Sequence, residues 1–439
     1  MQSTTHLTVR CSVHPPPTEF YKKGGCLSAH FHSYLCGRVA AEWLIMMKLL
    51  VSNVGSTSLK FKLFQMPEEK LLCESRMERI GDGKNGIFTY IRLSDGLRIK
   101  RIGQEIQDYS TGIQLFTNCL TGKEAGVIGS IMEIDRVGFK TVLSKGFYGV
   151  HELTDAVMAG MKESLFVAPV HNAAYIEAID QFKALLPGIP MVGVFETAFH
   201  TTIPLERRIY AVPYEWTEKY GLIRIGYHGA SHNYIAQEAV RYGRADRVIS
   251  CHLGGSCSLC AINNGKSVDT SFGFSLQSGI MHANRCGDAD PYLVPFLESQ
   301  GLDKNEIIYG LTKKGGLLGI SGLSNDMRDL EAASAAGDEH ASLAIEAFVY
   351  SIVRYIGSFY AILGGLDQLV FTGGIGENDS VLREKVCTAV AHLGIRLDAV
   401  KNTVSRSGVI SEEGSPVTVS VIPANEELGI ARQTYQYVL

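Results

Sequence analysis

The sequence lacks the features of a membrane protein, a nucleic-acid-binding protein or a secreted disulfide-linked domain. No apolar run reaches the length of a membrane span, because Glu42 and Lys48 interrupt the nearest candidate, residues 39–51. A net charge of −4 provides no positive field for nucleic acid or for an anionic membrane. The ten cysteines lie mostly within apolar segments rather than at loop spacings. This placement predicts reduced thiols and a cytoplasmic location.

The length of 439 residues and the 46% hydrophobic content are sufficient for two or more domains with their own cores. Residues 1–46 differ from the rest, since they contain three consecutive prolines and only Glu19 and Glu42 as acids. We interpret this segment as a disordered or artefactual extension, with a transit peptide as the alternative. The first domain is then expected to start at Met47, directly before an apolar strand.

An internal repeat predicts the architecture. Residues 49–64 (LLVSNVGSTSLKFKLF) align without a gap to residues 248–263 (VISCHLGGSCSLCAIN), as a strand, a glycine turn and a second strand. Such a duplication implies two related halves facing a cleft. The small residues Gly254, Gly255 and Ser256 leave backbone N–H groups unobstructed, so the second turn is a candidate phosphate-binding loop.

Several residues outside the hairpins are also placed for chemistry. Glu196 follows a short buried strand, where open α/β sheets bind their ligands. His228 lies in a glycine turn, and the glycines argue against a helical zinc site with His232. Arg285 lies among several aspartates, a combination that suits an anionic substrate with a bound cation. The turn at 373–378 (GGIGEN) could bind the polar edge of a nucleotide.

Together these segments resemble acetate kinase and other short-chain carboxylic acid kinases of the sugar kinase/Hsp70/actin superfamily. The resemblance extends from Met47 to the C-terminus and rests on these motifs in family order: NVGSTSLK, APVHNAAY, VFETAFH, YHGASH, HLGGSCS, GKSVDTSFGF, NRCGDADP, GISGLSNDMRDL, FTGGIGEN and NEELGIAR.

The resemblance implies an α/β fold of two duplicated, ribonuclease H-like domains with a cleft between them. We expect a mixed five-stranded sheet with helices in each domain. The first domain would comprise residues 47–196 and be joined by the terminal helix 426–439. The second, nucleotide-binding domain would comprise residues 197–425, with the break near 187–202. The resemblance also implies a homodimer.

The resemblance further implies the roles of individual residues. It assigns catalysis to Arg136, His171, Glu196, His228 and Arg285. It assigns binding of ATP or ADP to Asn53, Ser56, Ser58, Lys60, Gly254, Gly255, Ser256, Asp326, Met327, Arg328, Gly374, Ile375 and Asn378. It places the acid against Val137, Gly138, Val170, Tyr227 and Leu276, and Mg²⁺ or Mn²⁺ near Asn53 and Glu426.

The implied reaction is the reversible transfer of the terminal phosphoryl group of ATP to the carboxylate of a short-chain acid. This transfer depends on in-line placement and on neutralisation of spread charge. The arginines, the histidines and the metal would supply that neutralisation. A carboxylate is already ionised at neutral pH, so the reaction needs no strong general base. Acetate, propionate and butyrate are the candidate acids.

The sequence departs from the family pattern at four places. With the family's His-Arg-Val-Val-His-Gly-Gly aligned so that its arginine is Arg136, Gly138 replaces a valine that lines the acid pocket. Leu276 replaces a proline, Gly255 an asparagine and Glu196 an aspartate. The glycine predicts a wider pocket that favours propionate or butyrate. Because Gly255 replaces the asparagine, pyrophosphate is an alternative phosphoryl donor. Because Glu196 replaces the aspartate, a catalytically weakened, ligand-binding homologue is an alternative function.

Structural roles are the other interpretation of several residues. Arg136 and Arg285 could form salt bridges, and His171 could be a helix-start histidine. Asp288 and Asp290 could cap a helix, and Glu426 could favour a helix N-terminus through the macrodipole.

Overall fold

The protein forms two mixed β-sheets with flanking helices. Its structure is a computed structural model that describes residues 45–55, 57–166 and 169–437. The predicted extension therefore lies outside the described residues, apart from its last two positions. Residues Met46–Leu439 form one compact unit.

The described strands are β1 (Met47–Gly55), β2 (Ser58–Met66), β3 (Lys70–Glu78), β4 (Gly86–Arg92), β5 (Arg98–Gln104), β6 (Arg136–Thr141), β7 (Val150–Glu152), β8 (Met191–Phe195), β9 (Arg247–His252), β10 (Ser258–Asn263), β11 (Lys266–Thr270), β12 (Gln368–Thr372), β13 (Gly408–Val409) and β14 (Thr418–Val421). The described α-helices are α1 (Tyr109–Thr121), α2 (Asp155–Glu163), α3 (Pro169–Leu185), α4 (Leu205–Arg208), α5 (Tyr214–Tyr220), α6 (Gly229–Glu238), α7 (Leu293–Ser299), α8 (Lys304–Lys313), α9 (Gly316–Ser321), α10 (Met327–Ala335), α11 (Glu339–Leu363), α12 (Gly373–Asn378), α13 (Ser380–Ala389), α14 (Ala399–Val404) and α15 (Glu426–Gln436). Short 3₁₀ helices span Gly83–Asn85, Ile131–Glu133, Ser164–Phe166, Ala198–Thr202, Ala239–Arg241 and Ala391–Leu393.

Both sheets contain the same five-stranded core. The first sheet has the order β5-β4-β3-β2-β1-β6-β8-β7, and the second has the order β11-β10-β9-β12-β14-β13. In each, three antiparallel strands are followed by two parallel ones, so β3-β2-β1-β6-β8 corresponds to β11-β10-β9-β12-β14. The prediction of five strands per sheet was too low, because β4, β5 and β7 extend the first sheet and β13 extends the second.

Local signals explain where the elements begin. Helix α1 starts at Tyr109, because the side chain of Asp108 caps it and residues 98–104 form β5. Strand β6 is confined to Arg136–Thr141.

Helix α11 packs along the second core. Its buried residues Ala341, Ala344, Ile345 and Phe348 recur at helical spacing and contact the sheet's apolar side chains. In length and composition α11 alone among the described helices could cross a membrane. Its buried face is what a core helix of this fold requires.

The terminal helix α15 packs on the first sheet. Ile430 and Ala431 are buried in one cluster with Leu49, Val51 and Val194. The side chain of Asn425 caps the helix by accepting from the N–H of Leu428. Glu426, the first helical residue, is thereby held next to the carboxyl ends of the sheet's parallel strands.

Candidate active site

A largely buried ion triad lies where the parallel strands of the first sheet end. Lys140, the penultimate residue of β6, places its Nζ 2.8 Å from Oε1 of Glu196 and 2.6 Å from Oε2 of Glu426. Glu196 directly follows β8 and is only 5% exposed. Two carboxylates with one ammonium leave a net charge of −1 at this point.

The surroundings of the triad keep two of its members, Lys140 and Glu426, charged. Burial alone would lower the pKa of Lys140, but Glu196 and Glu426 raise it well above its usual range. Burial works to raise the pKa of Glu426, yet the charges of Lys140 and its other neighbours leave that pKa below its ordinary value. Lys140 and Glu426 are therefore both charged at neutral pH.

Arg136 lies at the opposite end of β6, so the structure does not bring it to the predicted catalytic site. It is paired with Leu49 near the start of β1, four residues before Lys140 and thus roughly 13 Å away along the strand. Its Nη1 donates to the carbonyl oxygens of Thr434 (3.0 Å) and Tyr437 (2.5 Å). The guanidinium therefore fastens the end of the terminal helix.

Gly138 and Val137 do not line an acid pocket either. A Cβ atom at position 138 would collide with Oγ1 of Thr434 and lie 3.2 Å from Cγ2 of Ile430, both on α15. The glycine is needed because the helix approaches β6 closely at this point. Val137 points to the other face and is fully buried in the first core.

These contacts indicate that the family motif aligns four residues further along the chain. His-Arg-Val-Val-His-Gly-Gly then falls on residues 139–145, which read FKTVLSK, and Lys140 takes the place of the arginine. Val142, which is 3% exposed, takes the place of the pocket valine. The predicted widening of the pocket at Gly138 has no basis in this register.

Asn53 is held beside the start of α15. Its Nδ2 donates to Oε1 of Glu427 (3.2 Å), and its Oδ1 accepts from the hydroxyl of Tyr175 (3.5 Å). Glu427 also pairs with Lys62 at 3.4 Å. Asn53 thus contacts the residue that follows Glu426 at the start of α15.

Other predicted residues of the first hairpin follow from the strand pairing. Ser58 opens β2 opposite Gly55, and Lys60 is paired with Asn53. Ser56 and the side chains of Val170 and His171 lie outside the described part of the chain. Their assigned roles stay predictions.

Two histidine rings lie next to each other, tilted by 40°, on the side of the second sheet. His228 caps α6 in a left-handed conformation (φ 57°), and its ring centroid is 4.3 Å from that of His252, the last residue of β9. A side chain at Gly229 would collide with the carbonyl oxygen of Glu196, so glycine is required there. Burial, together with the neighbouring rings of His252 and His232, holds the pKa of His228 well below its usual range. His228 is therefore neutral.

His252 was not predicted as a site residue. Burial also lowers its pKa, and the charges of Lys140, Glu196 and Glu426 act on it. The repeat contained the signal, because His252 aligns with Asn53.

Arg285 is a half-buried cation with no acidic partner in the described residues. Its Nη1 donates to the carbonyl oxygen of Leu276 (2.5 Å), and burial lowers its pKa. Leu276 is partly buried against the first core, and the hydroxyl of Tyr227 donates to Phe274 (3.0 Å) nearby. A guanidinium without a counter-ion suits a bound anion.

The aspartates around Arg285 hold the backbone instead. Asp288 accepts from the N–H of Gly279 (2.8 Å) and from the hydroxyl of Tyr355 (2.6 Å). Asp290 accepts from the N–H of Tyr292 at 2.9 Å. These bonds favour the structural interpretation of Asp288 and Asp290.

A cavity of about 590 Å³ collects most of the predicted nucleotide residues. Its lining includes Gly254, Gly255, Asp326, Met327, Arg328, Gly374, Ile375 and Asn378, as well as Glu331 and Asp379, which sequence reasoning missed. Ser256 is not part of this lining, and its hydroxyl is buried without a hydrogen bond. The volume is typical of a small-molecule site.

No cluster of three or more histidine, cysteine or acidic side chains suited to a metal occurs in the described residues. Glu196, Glu426 and the amide of Asn53 offer oxygen ligands from separate elements. That set suits Mg²⁺, which binds one or two carboxylates, retains water and completes its shell with substrate phosphates.

Comparisons with known proteins show the family to which the chain belongs. A sequence profile of the Acetokinase family matches residues 48–432. An acetate kinase from Treponema denticola is 44% identical over 399 residues, covering 89% of this chain and 100% of the relative. The crystal structure of the Porphyromonas gingivalis acetate kinase is 38% identical with a TM-score of 0.79, covering 88% of this chain and 98% of that one. A propionate kinase from Francisella tularensis is 33% identical with a TM-score of 0.80, covering 90% and 100%.

These similarities confirm the predicted fold class of two related α/β sheets. They also confirm the reaction class, phosphoryl transfer from ATP to a short-chain acid. The chain belongs to the Acetokinase family and is a carboxylate kinase.

Proposed function

We propose that this enzyme phosphorylates acetate reversibly with Mg·ATP, and that Lys140 is the cation that binds the acid and the migrating phosphoryl group. The observation that supports this role is the triad of Lys140, Glu196 and Glu426 at the carboxyl ends of β6 and β8. Acetate is preferred because the pocket valine is retained at Val142 in the corrected register. Propionate is the alternative acid, as for the Francisella tularensis relative.

The reaction brings two anions together, and the described cations can oppose their repulsion. Lys140 would bind the acceptor carboxylate, and Arg285, which has no acidic partner in the described chain, would bind the phosphoryl oxygens. Neutral His228 and His252 would donate hydrogen bonds to the same group. We retain His171 in this proposal from the family resemblance.

Mg²⁺ would be held by Glu426, with Asn53 beside it and Glu196 across Lys140. When bound, the metal neutralises the phosphate charge of the nucleotide. Glu196 and Lys140 would meanwhile orient the acid. The net charge of −1 of the triad favours a further cation at this point.

The 590 Å³ cavity favours ATP over pyrophosphate as donor. It provides space and an apolar contact, Ile375, that a donor lacking a nucleoside would not use. The backbone at Gly254 and Gly255 lines the same cavity, so the phosphate chain can pass from it toward His252. The missing asparagine at Gly255 would weaken phosphate binding without removing the nucleoside site.

We also propose a cytoplasmic homodimer. The described cysteines are free thiols, which suits a reducing compartment. Tyr292, Phe296 and Tyr309 are large apolar side chains with more than half of their surface exposed, which supports burial against a second copy. Light scattering on the purified protein tests the oligomeric state.

Trapping of the acyl phosphate with hydroxylamine tests the function. The purified protein should form hydroxamate with Mg·ATP and acetate, less with propionate and butyrate, and none with pyrophosphate. Formation with pyrophosphate alone would reverse the choice of donor. Tight nucleotide binding without hydroxamate from any acid would favour the ligand-binding homologue.

A further inference from the structure

His228 and three side chains beneath it form a continuous hydrogen-bonded chain. Nδ1 of His228 lies 2.8 Å from Oγ of Ser258, and the same oxygen lies 2.8 Å from Nε2 of His232. Nδ1 of His232 lies 2.9 Å from Oγ of Ser250. Ser250, Ser258 and His232 are fully buried, so each of these bonds is shielded from water. The chain links β9 and β10 to the first turn of α6.

The outer nitrogen of His228 is available to a ligand. Within the described residues, Nε2 of His228 has no hydrogen-bonding partner, although its ring is 92% covered. An anionic phosphoryl oxygen can be bound there only if Nε2 carries a hydrogen. A ring protonated on Nδ1 alone would present a lone pair to that anion.

The hydroxyl of Ser258 couples the tautomers of the His228 and His232 rings. It has a single hydrogen, so it cannot donate to both rings. If it donates to Nδ1 of His228, the proton of that ring lies on Nε2. His232 must then donate from its own Nε2 to Ser258, and Ser250 must donate to Nδ1 of His232. Every bond in the chain is satisfied in this direction. The reverse direction also satisfies every bond but leaves Nε2 of His228 without a hydrogen, so an anionic phosphoryl oxygen bound at Nε2 selects the first direction.

We propose that Ser250, His232 and Ser258 are positioning residues, and that together they place the proton of His228 on Nε2, where it is donated to the migrating phosphoryl group. The inference rests on the proposed role of His228. The groups around this ring support it, because burial and the nearby His252, His232, Lys140 and Arg285 lower the pKa of His228 and keep a second proton off the ring.

Removal of the Ser258 hydroxyl is the test. Ser258→Ala should lower kcat by about 10- to 100-fold, the range for losing a partner that orients a functional side chain. The KM values for acetate and ATP should change by less than about threefold, because the bond to His228 matters most when charge develops on the phosphoryl group. Ser250→Ala, at the far end, should lower kcat by about threefold, as expected for one neutral hydrogen bond.

Ser267→Ala is the matched control. Ser267 is also fully buried, and its Oγ lies 2.9 Å from Nδ1 of His200, outside the chain. This variant should lose a comparable amount of thermal stability and keep kcat within about twofold of the parent, since it removes the same kind of bond. A loss of kcat in Ser258→Ala no larger than in Ser267→Ala would overturn the proposal.

Two further measurements separate positioning from packing. In a His228→Gln background, Ser258→Ala should cause no additional loss of kcat, because the two residues act as one unit. Nitrogen-15 NMR of histidine-labelled enzyme should show His228 as the Nε2–H tautomer, and a mixture after Ser258→Ala. Losses of kcat that multiply in the double variant, or an unchanged His228 tautomer in Ser258→Ala, would refute the proposed positioning role. A parent enzyme without acyl phosphate formation, or a fully active His228→Gln, would instead refute the proposed function.

Discussion

Replacement of Lys140 by alanine should both destabilise the protein and nearly abolish its activity. The change leaves Glu196 and Glu426 buried at one place without the ammonium that lies 2.8 and 2.6 Å from them. Removing one partner of such a buried pair costs about 3–5 kcal/mol of unfolding free energy. Loss of an electrostatic stabiliser lowers kcat by about 10²–10³-fold. Both quantities are measurable, by thermal unfolding and by the hydroxamate assay below the unfolding midpoint.

Arg136→Ala is the control for this prediction. It removes two hydrogen bonds to the carbonyl oxygens of α15, so it should cost about 1–3 kcal/mol of stability and leave kcat/KM within about threefold. An inactive Arg136→Ala together with an active Lys140→Ala would refute the reasoning, because Arg136 would then be the functional cation.

The lengths of the paired side chains add a second check. This chain joins a lysine to Glu196, at two positions where the family pattern has the longer arginine and the shorter aspartate. Lys140→Arg alone should lose activity by about tenfold, because the extra length overpacks the triad. Glu196→Asp in the same protein should restore part of that loss. Additive effects of the two changes would mean that the residues do not compensate each other.

Three other predictions follow from the same contacts. Gly138→Val should destabilise the protein by about 1–3 kcal/mol through its collision with Thr434, and leave the preference among acetate, propionate and butyrate unchanged; a changed preference would return position 138 to the acid pocket. Arg285→Ala should lower kcat/KM by about 10²–10³-fold, and Arg285→Lys should recover little of it, because an ammonium lacks the bidentate fork; near-parental kcat/KM in either would make Arg285 structural. Burial and the neighbouring Asp379 raise the pKa of Glu331 to about 7 from 4.5, so the folded protein holds a proton that the unfolded chain releases between these values. Stability from this group is present below pH 4.5 and is lost as the pH rises through 7. Glu331→Gln should therefore have a higher melting temperature than the parent at pH 8 and the same melting temperature at pH 4.5. Equal melting temperatures at pH 8 would contradict the raised pKa.

The sequence predicted the elements whose signals are local. The aligned hairpins at 49–64 and 248–263 became β1–β2 and β9–β10, in equivalent positions of the two sheets. The glycine turn at 254–256 lies where the repeat placed it, whereas the turn predicted at 373–378 is the short helix α12. Strands β5, β7, β11, β13 and β14 were missed, because they are short or polar and depend on their neighbours for pairing.

The error at Arg136 has a physical origin. Arg136 and Lys140 are four residues apart on one strand, so both point to the same face and alternation could not separate them. The family motif was aligned by its arginine, which placed that residue on Arg136 rather than on Lys140. The position along the strand was the better signal, because ligands bind beyond the carboxyl ends of parallel strands. Lys140 is at that end of β6, and Arg136 is at the other.

The serine–histidine chain could not be predicted from residue types. Ser250, Ser258 and His232 belong to a strand, a second strand and a helix, and only the fold brings them beneath His228. Serines in buried strands are ordinary core residues without this geometry.

Transfer of an isotopic label tests the central claim most directly, that a carboxylate oxygen of the acid attacks the terminal phosphorus of ATP in a site built around Lys140. Phosphorus-31 NMR of the reaction with ¹⁸O-labelled acetate should show acetyl phosphate shifted by one ¹⁸O bonded to phosphorus. The signal should appear with the parent and with Arg136→Ala, and be nearly lost with Lys140→Ala. Acetyl phosphate without ¹⁸O on phosphorus, or an undiminished signal from Lys140→Ala, would contradict the account.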